Sequence, residues 1–290
     1  MKVIYYLSNI FWLGLVGLIG TYFSDLVIFK YLCFFGVFAF LNLALNFVTI
    51  KDSILQIIGI LKIKLKYGEI PNLESYETKC LYSLPFDGVW VCVNGCVSKE
   101  YSHSWNIPTQ RYAYDFIILD ENNESHRGDI QKMDSYYCYN REILAPADGI
   151  VIKIMNKSND SSILKRTKFI IHANNIAGNY IIIKHSENEY SLLAHLKKDS
   201  FTVQEGESVL RGQVVALCGN SGNSSEPHLH FQIQNGESFY NSLGVPILFR
   251  NISSFKINGY KRYDNREYMN FEEIPNQRVT RGHAYANRQQ

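Results

Sequence analysis

The chain has 290 residues, 46% of them hydrophobic and 14% aromatic, enough for one large domain or for a medium domain with an attachment. A net charge of +2, with no long basic or acidic block, excludes a nucleic-acid partner held by bulk charge. The charge is uneven: the first 69 residues net +3 and carry the longest apolar stretches, which leaves about −1 for the remaining 221.

Residues 3–23 and 31–50 are uncharged apolar runs joined by a short connection holding Asp25 and Lys30. Each is long enough to cross a bilayer, which takes about 20 residues. A cleaved signal peptide fits the first run poorly, because no small-residue cleavage site separates it from the second. The pattern predicts a transmembrane helical hairpin, a multi-pass anchor in the cell membrane. Residues 54–66 are too short to span, and Gln56, Gly59, Lys62 and Lys66 fall along one side of a helix. That side suits an interfacial helix on lipid headgroups; the other reading packs it on the domain that follows. Residues 1–69 thus read as a membrane anchor.

From Pro71 the composition turns to short runs rich in Val, Ile and Tyr: DGVWVCV, YAYDFIIL, DGIVIKI, NYIIIKH, YSLLAHL and QVVALC. Gly, Asn, Asp and Pro punctuate them, and many short strands between turns predict an all-β, antiparallel domain over residues 70–250. VWVCVNGCVSK reads as a hairpin turning at Asn94-Gly95, which places Cys92 and Cys96 on opposite faces, unable to bond to each other. No pair of the six cysteines has zinc-ribbon spacing. Polar loops are expected at about 120–142 and 155–178, and residues 251–290 read as a polar, basic tail with a poorly ordered end.

Chemistry concentrates in GNSGNSSEPHLHFQIQ, residues 219–234. Its turn-rich start gives way after Pro227 to a strand pattern, in which His228 and His230 share one face while Leu229 and Phe231 take the other. Two imidazoles on one sheet face suit a metal or acid–base site. Asp115 sits in an apolar strand between Tyr114 and Phe116, where a carboxylate is costly without a cation. His195 lies in a similar apolar run, and His103 precedes Asp115 by twelve residues.

In these stretches the chain resembles the M23 zinc metallopeptidases, the lysostaphin/LytM-type cell-wall endopeptidases. LAPADGIV (144–151), GNYIIIKHSENEYSLLAHL (178–196) and RGQVVALCGNSGNSSEPHLHF (211–231) follow the family's order within about Leu84 to Phe249. The resemblance implies an antiparallel β-sheet groove and one zinc per chain, held by His103, Asp115 and His230. It implies that His195 and His228 are catalytic and that the substrate is a peptidoglycan peptide. Two positions depart from the family pattern. The first histidine ligand usually lies four residues before the aspartate, where this chain has Arg111, so His103 requires the insertion NIPTQRY to loop out and return. His126 is the competing first ligand. Leu193 stands where the family often has a tyrosine.

The remaining candidates have plainer readings. His172 and His283 suit a solvated loop or tail, and Glu226 a loop charge. His185 suits a structural place at the end of a strand, the other reading being that it orients a ligand, while Gln110 and Arg111 either rim the groove or sit on the surface without a role. A catalytically lapsed wall-binding, scaffold or activator protein is the alternative, though all five site positions have candidates in this chain. A biotinyl- or lipoyl-type carrier domain would need a lysine at a hairpin tip between DGIVIKI and GQVVAL, where this chain has long loops and histidines. The partners expected are peptidoglycan peptides and the lipid bilayer, with no nucleic acid. Lysines at 2, 51, 62, 64 and 66 would draw the domain to the cytoplasmic side. A wall peptidase works outside and large domains cross regardless of charge, so an extracytoplasmic domain is expected.

Overall fold

Runs of β-branched and aromatic residues between turn formers favour strands that bury at least one apolar face and pair through their backbones. The computed structural model describes residues 8–163 and 175–288, and the chain divides into two units, Met1–Ile54 and Leu55–Gln290.

In the first unit, helix α1 (Phe11–Phe23) is followed by α2 (Val27–Cys33), a 3-10 turn (Phe34–Gly36) and α3 (Val37–Leu45). Gly14 lies against the backbone of Gly36 and Gly17 against that of Cys33, so α1 runs antiparallel to its successor at a separation only glycine permits. The start of the expected 3–23 span lies outside the described residues. Among those described, Val27–Leu45, with a mean hydropathy of 2.0, is long and apolar enough to cross a membrane. The second expected span, 31–50, instead breaks at Asn46, whose amide donates to the Asn42 carbonyl at 2.9 Å. Helix α4 (Phe47–Tyr67) then runs through the segment expected to lie on headgroups. Within the second unit that helix packs on the β-domain: Ile63 is buried, Gly59 abuts the Tyr240 carbonyl, and Asn235 donates to the Tyr67 hydroxyl at 2.8 Å.

Eleven strands are found among the described residues: β1 (Trp90–Asn94), β2 (Tyr114–Ile117), β3 (Glu142–Leu144), β4 (Gly149–Met155), β5 (Asn179–Ser186), β6 (Glu189–Leu196), β7 (Ser208–Val209), β8 (Val214–Leu217), β9 (Leu229–Gln234), β10 (Ile252–Lys256) and β11 (His283–Asn287). Nine form an antiparallel sheet in the order β10-β11-β1-β2-β9-β6-β5-β4-β7, while β3 and β8 pair separately. The main core gathers on one face, with Phe116, Ile181, Leu193, Leu229 and Phe231. Alternation sends Asp115, His230, Gln232 and Gln234 to the opposite face, beside a smaller apolar cluster that includes Leu192, Ala194 and Phe239.

Two sequence expectations change here. The Asn94-Gly95 hairpin is absent: β1 pairs instead with β2 and β11, as in Val91 with Ile117 and Ala284. Those neighbours bring apolar side chains to the core, whereas VSKEYSHS after the turn is too polar to do so. Cys92 and Cys96 are free, as are the other four cysteines. The expected tail, 251–290, supplies β10 and β11 and extends the sheet by two strands. Tyr285 is fully buried there and its hydroxyl bonds with both backbone groups of Thr280, so the segment has its own apolar anchor.

Candidate active site

Strands β2 and β9 set the centre of the site by register, because Asp115 stands directly opposite His230. His230 Nδ1 lies 2.9 Å from Asp115 Oδ1, and His103 Nε2 lies 3.1 Å from Asp115 Oδ2. The route to His103 runs through the insertion, which folds as consecutive turns: Ile107 N–H to Ser104 O, Gln110 N–H to Ile107 O, and Ala113 N–H to Gln110 O. Arg111 closes the loop, bonding the Trp105 carbonyl and lying 4.3 Å over its ring. The twelve-residue separation therefore ends with His103 beside Asp115. Ligand atoms of His103, Asp115 and His230 all fall within 4.8 Å of one another.

A chain of amides decides which nitrogen of His230 faces the cluster. The Gly236 carbonyl can only accept, so the Gln234 amide nitrogen points to it, at 2.7 Å. Gln234 Oε1 then accepts from Gln232 Nε2 at 2.7 Å, and Gln232 Oε1 faces His230 Nε2 at 3.0 Å. Both glutamines are fully buried. Nε2 must carry the proton, which leaves the Nδ1 lone pair aimed at a carboxylate oxygen. Two acceptors 2.9 Å apart call for a cation or a proton between them. The donor set, two imidazoles and one carboxylate, fits a metal ion of the zinc type. Burial by itself raises the Asp115 carboxyl, but the surrounding imidazoles, His103 foremost, outweigh it and hold the group well below the usual carboxylate range.

Two more imidazoles complete the site. His195, near the end of β6, adopts the left-handed φ of 61°, an uncommon state for a side-chain-bearing residue that here turns the ring into the site. Its Nδ1 lies 2.7 Å from the Ser221 carbonyl, so that nitrogen carries the proton and Nε2 keeps its lone pair. Gly178 and Gly222 let the 219–224 turn press on the start of β5, since a Cβ on either would meet the other's backbone, and this sets Ser221 in place. His228 is held the same way, with Nδ1 2.9 Å from the Glu226 carbonyl, and its Nε2 is 3.7 Å from Asp115 Oδ1. Burial, then the neighbouring His228 and His230, pull the His195 pKa well below the ordinary imidazole range.

These side chains open onto a cavity of about 350 Å³ that His103, Gln110, Asp115, His195, His228 and His230 help to line. A second hollow of about 400 Å³ shares Asp115 and His228 and is walled by Asn94, Glu226, Tyr263 and Arg266. Glu226 is a cross-tie, accepting from Ser125 at 2.9 Å and from the Tyr263 hydroxyl. His126 is not in the cluster; its ring stacks on Tyr136. His185 bonds Ser191 and the Asp148 carbonyl, each at 2.8 Å, away from the cluster's three donors. His283, expected in a solvated tail, is buried in β11 and contacts the Met269 carbonyl at 2.7 Å. His172 lies outside the described residues. Sequence reading missed the amide supports Gln232, Gln234 and Asn94; the alternation in HFQIQ carried a signal for the first two.

A β-sheet that carries a three-donor cluster with two further imidazoles beside it is a candidate metal centre. The chain belongs to peptidase family M23, whose profile matches residues 130–242. The peptidoglycan DD-endopeptidase ShyA of Vibrio cholerae is 40% identical over 57 residues, 20% of this chain and 13% of that one. Lipoprotein NlpD of Yersinia enterocolitica is 40% identical over 68 residues, 22% of this chain and 67% of its own. The murein hydrolase activator NlpD of Salmonella typhimurium is 44% identical over 57 residues, 20% and 14% of the two chains. This chain therefore spans a small part of ShyA and of the Salmonella protein. Among solved structures, the catalytic domain of lysostaphin from Staphylococcus simulans is 18% identical, covering 59% of this chain and 90% of its own at a TM-score of 0.30.

Proposed function

We propose that this chain is a zinc-dependent metalloendopeptidase, one zinc per chain, that hydrolyses peptide bonds in the cross-links or stem peptides of peptidoglycan. The observation that carries the reading is the facing pair of acceptors at Asp115 and His230, with His103 beside them and two imidazoles left free. His103 Nε2, Asp115 and His230 Nδ1 would hold the metal. A zinc ion bound there would acidify a water and polarise the peptide carbonyl.

The chain's own residues handle the protons. His195 and His228 each fix Nδ1–H on a backbone carbonyl and turn Nε2 to the cavity, so either imidazole can accept a proton from water. Once protonated, the same ring donates to the oxyanion or to the leaving amine. Burial and the neighbouring imidazoles disfavour the protonated form of His195, which suits a base. Two cavities meeting at Asp115 and His228 give the peptide room on both sides of the bond to be cut.

The Salmonella relative is named as an activator, which favours a second reading as a non-catalytic wall protein. The full chain, solubilised in detergent and loaded with zinc, is incubated with peptidoglycans of several cross-link types, and released muropeptides are identified by mass spectrometry. New amine and carboxylate ends at one bond type support the peptidase. Binding without cleavage on every wall supports the activator.

A further inference from the structure

Asn94 stands across from Asp115 in the β1–β2 register, where a bulge after Cys92 turns its side chain toward the metal-type cluster. Its amide nitrogen donates to Asp115 Oδ2 at 3.2 Å, the oxygen that also faces His103. An amide can point either way, and a guanidinium decides it here. Arg266 can only donate, and its Nη1 lies 3.3 Å from Asn94 Oδ1 while Nη2 donates to the Val93 carbonyl at 2.9 Å. Asp264 braces the guanidinium from the other side, with Nε 2.8 Å from Oδ2 and Nη2 2.7 Å from it. Arg266 and Asp264 come from the segment after β10, beyond the residues that match the family profile.

We propose that Asn94 and Arg266 are positioning residues for the metal ligand Asp115, so that the C-terminal segment completes the metal site. Asn94 pins one carboxylate oxygen by its N–H, and Arg266, braced by Asp264, keeps the amide from flipping its oxygen onto that carboxylate. A flipped amide would set two acceptors together and turn Asp115 away from His103 and His230. The inference rests on the metallopeptidase reading above.

The test is zinc affinity, measured on the full chain in detergent by competition with a chromogenic chelator, for the unaltered protein and for N94A, R266A, R266K, the N94A/R266A double variant and K261A as a surface control. N94A and R266A are each expected to weaken zinc binding by about tenfold or more, the scale of groups that orient a ligand. The double variant should lose little beyond the worse single one, because both act through one route. R266K should fail to rescue, since an ammonium lacks the fork that reaches both Val93 and Asn94. Cobalt loaded in place of zinc reports the coordination geometry directly, and its visible spectrum should shift in N94A. A structural role would instead lower the thermal midpoint of the zinc-free protein while leaving the cobalt spectrum alone. Zinc affinity and spectrum both unchanged in N94A and R266A would overturn the assignment. Failure of the unaltered protein to take up zinc would overturn the metallopeptidase reading itself, an outcome separate from the first.

Discussion

The rings of His195 and His228 stand 4.5 Å apart between centroids, each with Nδ1 tied to a backbone carbonyl and Nε2 left free. Neither is needed to close the three-donor cluster. Substituting either by alanine is expected to leave zinc content near one per chain while cutting hydrolysis about a hundredfold or more, the usual scale of an acid–base group. Zinc content and muropeptide release are measured on the same preparations. Loss of zinc in His228→Ala would make that residue a ligand and the site a closed one.

Removing a donor has the opposite signature. Asp115→Ala, His230→Ala and His103→Ala should each lose the metal, whereas His126→Ala, with its ring stacked on Tyr136, should keep it. Metal content by atomic emission after dialysis decides. Zinc lost from His126→Ala and retained in His103→Ala would reverse the assignment.

Glu189 is fully buried and accepts four hydrogen bonds: from the Tyr76 and Tyr82 hydroxyls at 3.0 and 2.8 Å and from the backbone of Lys79 and Cys80 at 2.6 and 3.0 Å. It fastens the segment after α4 to the β5–β6 turn. Glu189→Ala leaves buried donors unmet and should cost about 3 kcal/mol, read from urea denaturation. Residues 76–82 should also become the first site of limited proteolysis. A loss below about 1 kcal/mol would mean the donors find other partners.

Burial lowers the pKa of both His185 and His283, against the opposing pull of the Asp148 and Met269 carbonyls. In the unfolded chain both titrate near ~6.5, so below that value the unfolded state binds more protons. Stability should therefore hold above about pH 6.5 and fall as the pH drops through the window down to the folded pKa values. Urea midpoints of the zinc-free full chain at about pH 7.5 and pH 5 measure the slope. His283→Gln should flatten it, and an unaltered slope would remove His283 from the account.

We expect the N-terminal helices to anchor the chain in the cell membrane, with residues 71–290 outside the cytoplasm. A reporter active only outside, fused after Gln290, should be active, and protease added to wall-stripped cells should digest the domain. A silent reporter with full protection would place the domain inside and require a cytoplasmic peptide as substrate.

Local pattern determined much of this protein. Alternation and turn formers gave the central strands, and HLHFQIQ placed His230 on the face away from the core, because side-chain direction along a strand follows from position alone. Register across strands does not follow from local pattern. That Asp115 meets His230 depends on a pairing between segments over a hundred residues apart, and that the seven-residue insertion returns His103 to both depends on a run of turns with no periodic signature. The same reason hid the two C-terminal strands and Asn94. A polar stretch reads as a tail until another strand supplies an edge, and a turn-prone Asn-Gly reads as a hairpin until β2 and β11 take both sides of β1. Backbone hydrogen bonds are satisfied by whichever edge also buries the most apolar surface, and only the assembled sheet decides which edge that is.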